Sequence, residues 1–207
     1  MLKQTFQTLL NSYTNNQRLI DELWNEIEKA YSSPKRHYHT LTHLENVLDQ
    51  LLFVRSEIND WNNILFALFY HDIVYKSSKS DNEEESALLA EKRMTQVGIS
   101  HAQIIQCISQ ILATKNHLQQ PDSDTNYFTD ADLSVLGKDW KVYEAYFKQI
   151  RKEYSIYPDF LYNLGREKVL NHFIGMDRIF KTDYFFNAFE MQVKSNLKKE
   201  LEFLEEK

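Results

Sequence analysis

Apolar residues recur at spacings of three and four along almost the whole chain, the mark of helices with one buried face. Leu2, Phe6, Leu9 and Leu10 predict a short first helix, broken at Asn15-Asn16. Leu19, Ile20, Leu23, Trp24 and Ile27 predict a second helix to about Tyr31. Ser32-Ser33-Pro34 ends it, because the residue before proline avoids helical angles. Leu44, Val47, Leu48, Leu51 and Leu52 mark a third, and an apolar run over Ile64 to Tyr75 a fourth. After a polar loop at 76–80, the acidic stretch Asp81-Asn82-Glu83-Glu84-Glu85 suits the positive end of a helix dipole. Ala87, Leu88, Ala90, Met94 and Val97 carry that helix to Gly98, a C-terminal cap. Residues 99–114 form another helix, and 119–126 read as a polar loop around Pro121. Val142 to Ile150 and a segment opened by Pro158 follow. A long narrow stripe from Phe185 to Leu204 should dock on the body. Gly165 falls inside a helix, where glycine costs about 1 kcal/mol relative to alanine, so a close packing contact is expected there.

Composition narrows the class. With 4 Gly and 3 Pro in 207 residues, the chain lacks the turn residues an all-β fold needs. No segment reads as a strand, repeat or linker, so one all-α domain is expected over 1–207. A net charge of −6 opposes binding to a nucleic-acid polymer, whose affinity rests on Lys and Arg. A small phosphorylated molecule stays open as partner, since a metal could neutralise it locally. Cys107 is the single cysteine, which excludes an internal disulfide and a Cys-rich zinc site. The N-terminal stretch has no long apolar region of the signal-peptide kind, and no apolar run would span a bilayer. A cytoplasmic protein without membrane association is therefore expected.

Four places bring polar chemistry to the edges of apolar helices. Three histidines, His37, His39 and His43, fall within seven residues, and His39 and His43 would share a face if helical. His71-Asp72 follows Ala67-Leu68-Phe69-Tyr70 directly. Asp130 and Asp132 interrupt an apolar run, and a helix cap explains only one of them. Imidazole and carboxylate are ligands for borderline divalent metals, and helices distant in sequence can bring them together in a bundle. Each group also has a plain structural reading, as a cap, a helix-start charge or a solvated ring.

Together these blocks resemble the HD superfamily of metal-dependent phosphohydrolases, whose ordered signature is His, His-Asp, Asp. They are most similar to a bacterial subgroup of predicted HD hydrolases. The blocks are Tyr38-His39-x-x-x-His43, Ala67 to Tyr75, Asp81-Asn82-Glu83-Glu84-x-Ser86-Ala87 and Thr114-x-x-His117. They continue as Asp130-Ala131-Asp132-Leu133-x-x-Leu136-Gly137, Ile150-Arg151-x-Glu153-Tyr154 and Gly165-Arg166-x-x-Val169-Leu170. Two departures, Thr40 and Val193-Lys194, lie outside the signature.

The resemblance implies a single HD-type helical bundle with His43, His71, Asp72 and Asp132 holding a divalent ion. Manganese, iron, nickel, magnesium and zinc all suit such a mixed nitrogen and oxygen shell. It implies hydrolysis of a small phosphorylated substrate, with a nucleotide as one candidate, and with Asp72, Glu83, Glu84 and Arg166 as catalytic residues. His39, Lys115, His117 and Arg151 would line the substrate pocket, with Asp130 behind them. The alternative is a metal-stabilised binding or regulatory module with little turnover. A dinuclear oxygenase ranks last, because only His101 and His117 lie between His71 and Asp132.

Overall fold

The computed structural model describes residues 1–205. Among them are ten α-helices and no strand, the all-α class that the periodicity predicts. No helix of the described residues is long and apolar enough to cross a membrane. The chain divides into two compact units, Met1–Thr129 and Asp130–Lys207.

The first unit is built on α4 (Trp61–Tyr70). Every residue from Asn63 to Tyr70 is buried, because α1 (Leu2–Asn11), α3 (Leu41–Phe53), α5 (Asn82–Gln96) and α6 (His101–Ala113) all pack on it. An all-round apolar helix has no other stable place. Phe69 meets Phe6 edge-on at 5.0 Å and Trp24, on α2 (Gln17–Tyr31), at 6.5 Å. The start of α4 is held twice. Asp60 accepts from the Asn63 N–H at 3.0 Å, and buried Asp124 accepts from the N–H groups of Asn59 and Asp60. Gly98, at φ +81°, closes α5: its N–H reaches the Thr95 carbonyl, and the Ile99 N–H reaches Met94. Those two bonds satisfy carbonyls that the helix end leaves open.

The predicted apolar helix over Ile64 to Tyr75 is shorter than expected. It ends at Tyr70, and His71 to Tyr75 form a turn. His39 likewise precedes α3, so His39 and His43 do not share a helix face. The expected loop at 119–126 is partly helical: α7 (Ser123–Leu133) starts inside it. The unit boundary falls within α7, which begins in the first unit and ends in the second.

The second unit contains α8 (Trp140–Glu153), α9 (Asp159–Ile174) and α10 (Asp183–Glu205). The close approach expected at Gly165 is absent, for a Cβ there meets nothing within 4 Å. Gly137 is the tight position instead: a Cβ on it would lie 2.5 Å from Phe189 Cβ. Phe189 packs with Phe185 and Phe180, and the Asn196 amide donates to the Leu136 and Lys138 carbonyls at 2.8 Å.

Candidate metal centre

The end of α4 and the approach to α3 bring imidazoles and a carboxylate to one point. His71 caps α4 and is buried. Its Nδ1 lies 2.9 Å from the Leu68 carbonyl, which can only accept. The ring therefore carries its proton on Nδ1 and, when neutral, presents a lone pair at Nε2. His43 stands in the first turn of α3, also buried, with Nδ1 3.2 Å from the Tyr38 hydroxyl. Its Nε2 lies 3.2 Å from His71 Nε2.

Asp72 Oδ2 joins them, 3.2 Å from His71 Nε2 and 3.8 Å from both His43 Nε2 and His39 Nε2. Burial alone would raise the Asp72 carboxyl. Attraction to His71 and His39, a hydrogen bond from His71 and attraction to His43 outweigh it and hold the carboxyl far below its usual range. One ligand atom each from His43, His71 and Asp132 lie within 4.8 Å of one another, a grouping that could hold a metal ion. Asp132 follows Phe128 by one helical turn on α7, and the Phe128 ring meets His71 edge-on at 5.6 Å.

This donor set fits a divalent ion. Ligands about 2.0–2.2 Å from a metal stand roughly 3 Å apart when they are neighbours in its shell. The 3.2 Å spacings of His43 to His71 and of His71 to Asp72 match that separation. Two imidazole nitrogens facing each other over a carboxylate are a donor set that a cation would satisfy. The C-terminal end of α4, where this cluster sits, carries the negative end of the helix dipole and also favours positive charge.

The turn carrying His71 and Asp72 is held from several sides. The Asp72 N–H donates to the Tyr31 hydroxyl at 3.2 Å. Ser86 Oγ accepts from the Val74 N–H and donates to the Val74 carbonyl. Arg36 donates to the carbonyls of Asp72 and Ile73. His39 stacks on Tyr75 with ring centroids 4.1 Å apart.

The remaining expected site residues fall into separate groups. Lys115 Nζ bonds Glu84 Oε1 at 2.5 Å, lies 3.7 Å from Glu83 and donates to the Ser80 carbonyl. The hydrogen bond from Lys115 lowers the Glu84 carboxyl and raises the Lys115 ammonium. His117 sits just beyond α6 with φ +51°, a left-handed backbone uncommon outside glycine. Asp130 is buried and accepts from the N–H groups of Lys181 and Thr182 and from the Thr182 hydroxyl, which fixes the approach to α10. Arg151 is taken up locally, by Asp159 at 2.6 Å and by the carbonyls of Tyr154 and Tyr157. Arg166 is buried, and its partner is a protein carboxylate: Glu200 takes Nε at 2.7 Å and Nη2 at 2.9 Å. Tyr143 donates to the same carboxylate.

Tyr31, Tyr38 and Arg36 were not expected as supports of the centre. The one sequence signal for Arg36 is a cation placed directly before the histidine cluster. Comparison with protein-family models, with curated proteins and with solved structures gives no match.

Proposed function

We propose that the chain is a divalent-metal-dependent phosphohydrolase of the HD type, acting on a small phosphorylated molecule. The observation that carries this reading is the convergence of His43 Nε2, His71 Nε2 and Asp72 Oδ2 within 3.8 Å. His43, His71, Asp72 and Asp132 would hold the ion, with manganese, iron, nickel, magnesium and zinc as candidates. When bound, such an ion polarises a phosphoryl oxygen and makes water more acidic. His39, 3.8 Å from Asp72 and 16% exposed at its side chain, would meet substrate at the edge of the cluster. Glu84 is the proposed proton-transfer group, kept ionised by Lys115.

A second reading has its own support. Transferring phosphoryl oxygens require positive charge around them. Lys115, Arg151 and Arg166 each already hold a carboxylate. A metal-stabilised binding module with little turnover would have no need of free cations.

Metal analysis of the purified chain, followed by assay of the metallated protein on a panel of phosphate esters and nucleotides, separates the two. Hydrolysis that needs the metal and falls strongly in Glu84→Gln, with metal content unchanged, supports the enzyme. Full metal occupancy with no hydrolysis across the panel supports the module, and absence of bound metal ends both.

A further inference from the structure

Arg36 carries a buried charge in an uncommon setting. The residue is 8% exposed. Its hydrogen-bond acceptors are three backbone carbonyls: Nη1 reaches His39 at 3.2 Å and Asp72 at 2.7 Å, and Nη2 reaches Ile73 at 2.8 Å. Its guanidinium carbon lies 4.8 Å from the centre of the Tyr31 ring and 5.7 Å from that of Tyr75. Burying a cation is costly, and its ordinary compensation is a carboxylate. Here carbonyl dipoles and ring faces do that work.

Those carbonyls belong to two segments that need tying. α4 stops at Tyr70, so the carbonyls of Asp72 and Ile73 lie past the helical ladder and need donors from elsewhere. The His39 carbonyl lies before α3, where the chain has no regular structure. One planar fork satisfies all three and thereby spans the gap between the segment bearing His39 and His43 and the turn bearing His71 and Asp72.

We propose that Arg36 is the positioning residue of the metal centre. Its fork holds the two ligand-bearing segments at the one separation where imidazole nitrogens and carboxylate oxygen converge. Arg36 acts through the His39, Asp72 and Ile73 backbone and does not touch the ion. This inference rests on the metal-centre reading. Lysine cannot replace Arg36, because a single ammonium lacks the rigid spread of donors that reaches both segments.

The test is calorimetric titration of Mn(II), repeated with Ni(II), into metal-stripped full-length chain. The proteins are wild type, Arg36→Lys, Arg36→Met and Arg93→Met. Arg93 serves as the control, because its hydrogen bonds go to Glu26 on α2, at 2.7 Å, and to Gln96 on α5, and not to the His71–Asp72 turn. Both Arg36 variants should bind the ion ten- to a hundredfold more weakly, the usual penalty for losing a group that orients ligands. The Mn(II) electron spin resonance signal of Arg36→Lys should change shape, as the ligands no longer converge. Arg93→Met should lose thermal stability yet bind the ion as wild type does. Should Arg36→Met fail to fold, Arg36→Lys decides alone. Arg36 variants within twofold of wild type overturn the inference and leave the metal centre standing. An Arg93→Met loss as large as theirs also overturns it, since affinity would then follow general stability. A wild type that holds neither ion overturns the inference and the metal reading together.

Discussion

Glu200 receives both Nε and Nη2 of Arg166, at 2.7 and 2.9 Å, in a pair whose side chains are 1% and 7% exposed. Such a bidentate buried pair is geometrically exacting, and removing one partner strands the other charge. Glu200→Ala should therefore destabilise the chain by about 3–5 kcal/mol, the cost typical of breaking a buried pair. Urea unfolding would show it. A loss under about 1 kcal/mol, the size expected of an exposed pair, would mean that the guanidinium finds another anion.

Loss of Asp72 should remove the ion. Wild type in the presence of a divalent metal at a hundred times its Kd should gain about 2.7 kcal/mol of stability from binding alone. Asp72→Ala should show no metal-dependent rise in melting temperature and no metal after purification. Full occupancy in that variant would refute the ligand assignment.

The two glycines should respond in opposite directions. At Gly137 an added Cβ meets Phe189 at 2.5 Å from its Cβ and 3.1 Å from its Cα, so helix α10 must shift. Gly137→Ala should cost about 1–3 kcal/mol, as overpacking does. Gly165 lies inside α9 with open space around it. Gly165→Ala should stabilise by about 0.5–1 kcal/mol through helix propensity. Paired denaturation curves check both.

Alkaline pH should unfold the chain through its tyrosines. Burial pushes the Tyr162 phenol up to about 12, and raises Tyr70, Tyr143 and Tyr146 as well. The folded state therefore keeps protons that the unfolded chain releases from about pH 10. The unfolded state then binds fewer protons, so stability is whole below pH 10 and falls as pH rises beyond it. Phenolate absorbance followed against pH, beside the unfolding free energy, should show Tyr162 ionising only near 12 or on unfolding. Ionisation of every tyrosine near pH 10 with the fold intact would contradict the burial.

The helices were legible because their apolar faces are local in sequence, and buried His71 and half-buried Asp72 were legible because they end such a face. Where α4 stops was not. Ile73, Val74 and Tyr75 continue the apolar pattern, but the Ile73 carbonyl and the Val74 backbone are satisfied by Arg36 and Ser86, from elsewhere in the chain. The start of α7 was hidden for a similar reason. Ser123 and Asp124 look like loop residues, yet Asp124 is buried because Asn59 and Asp60 supply its hydrogen bonds. Arg166 shows another limit: its partner Glu200 lies on another helix with no shared motif.

The turn after α4 also bears on how the first unit assembles. His39 and Asp72 are joined by a fork on Arg36 that closes a loop of more than thirty residues, with α3 and α4 formed inside it. Loop closure of that kind costs entropy before its contacts give anything back. The ligand-bearing segments are therefore expected to meet only after α3 and α4 have docked. On the proposed metal centre, ion binding would follow that docking and would not start it.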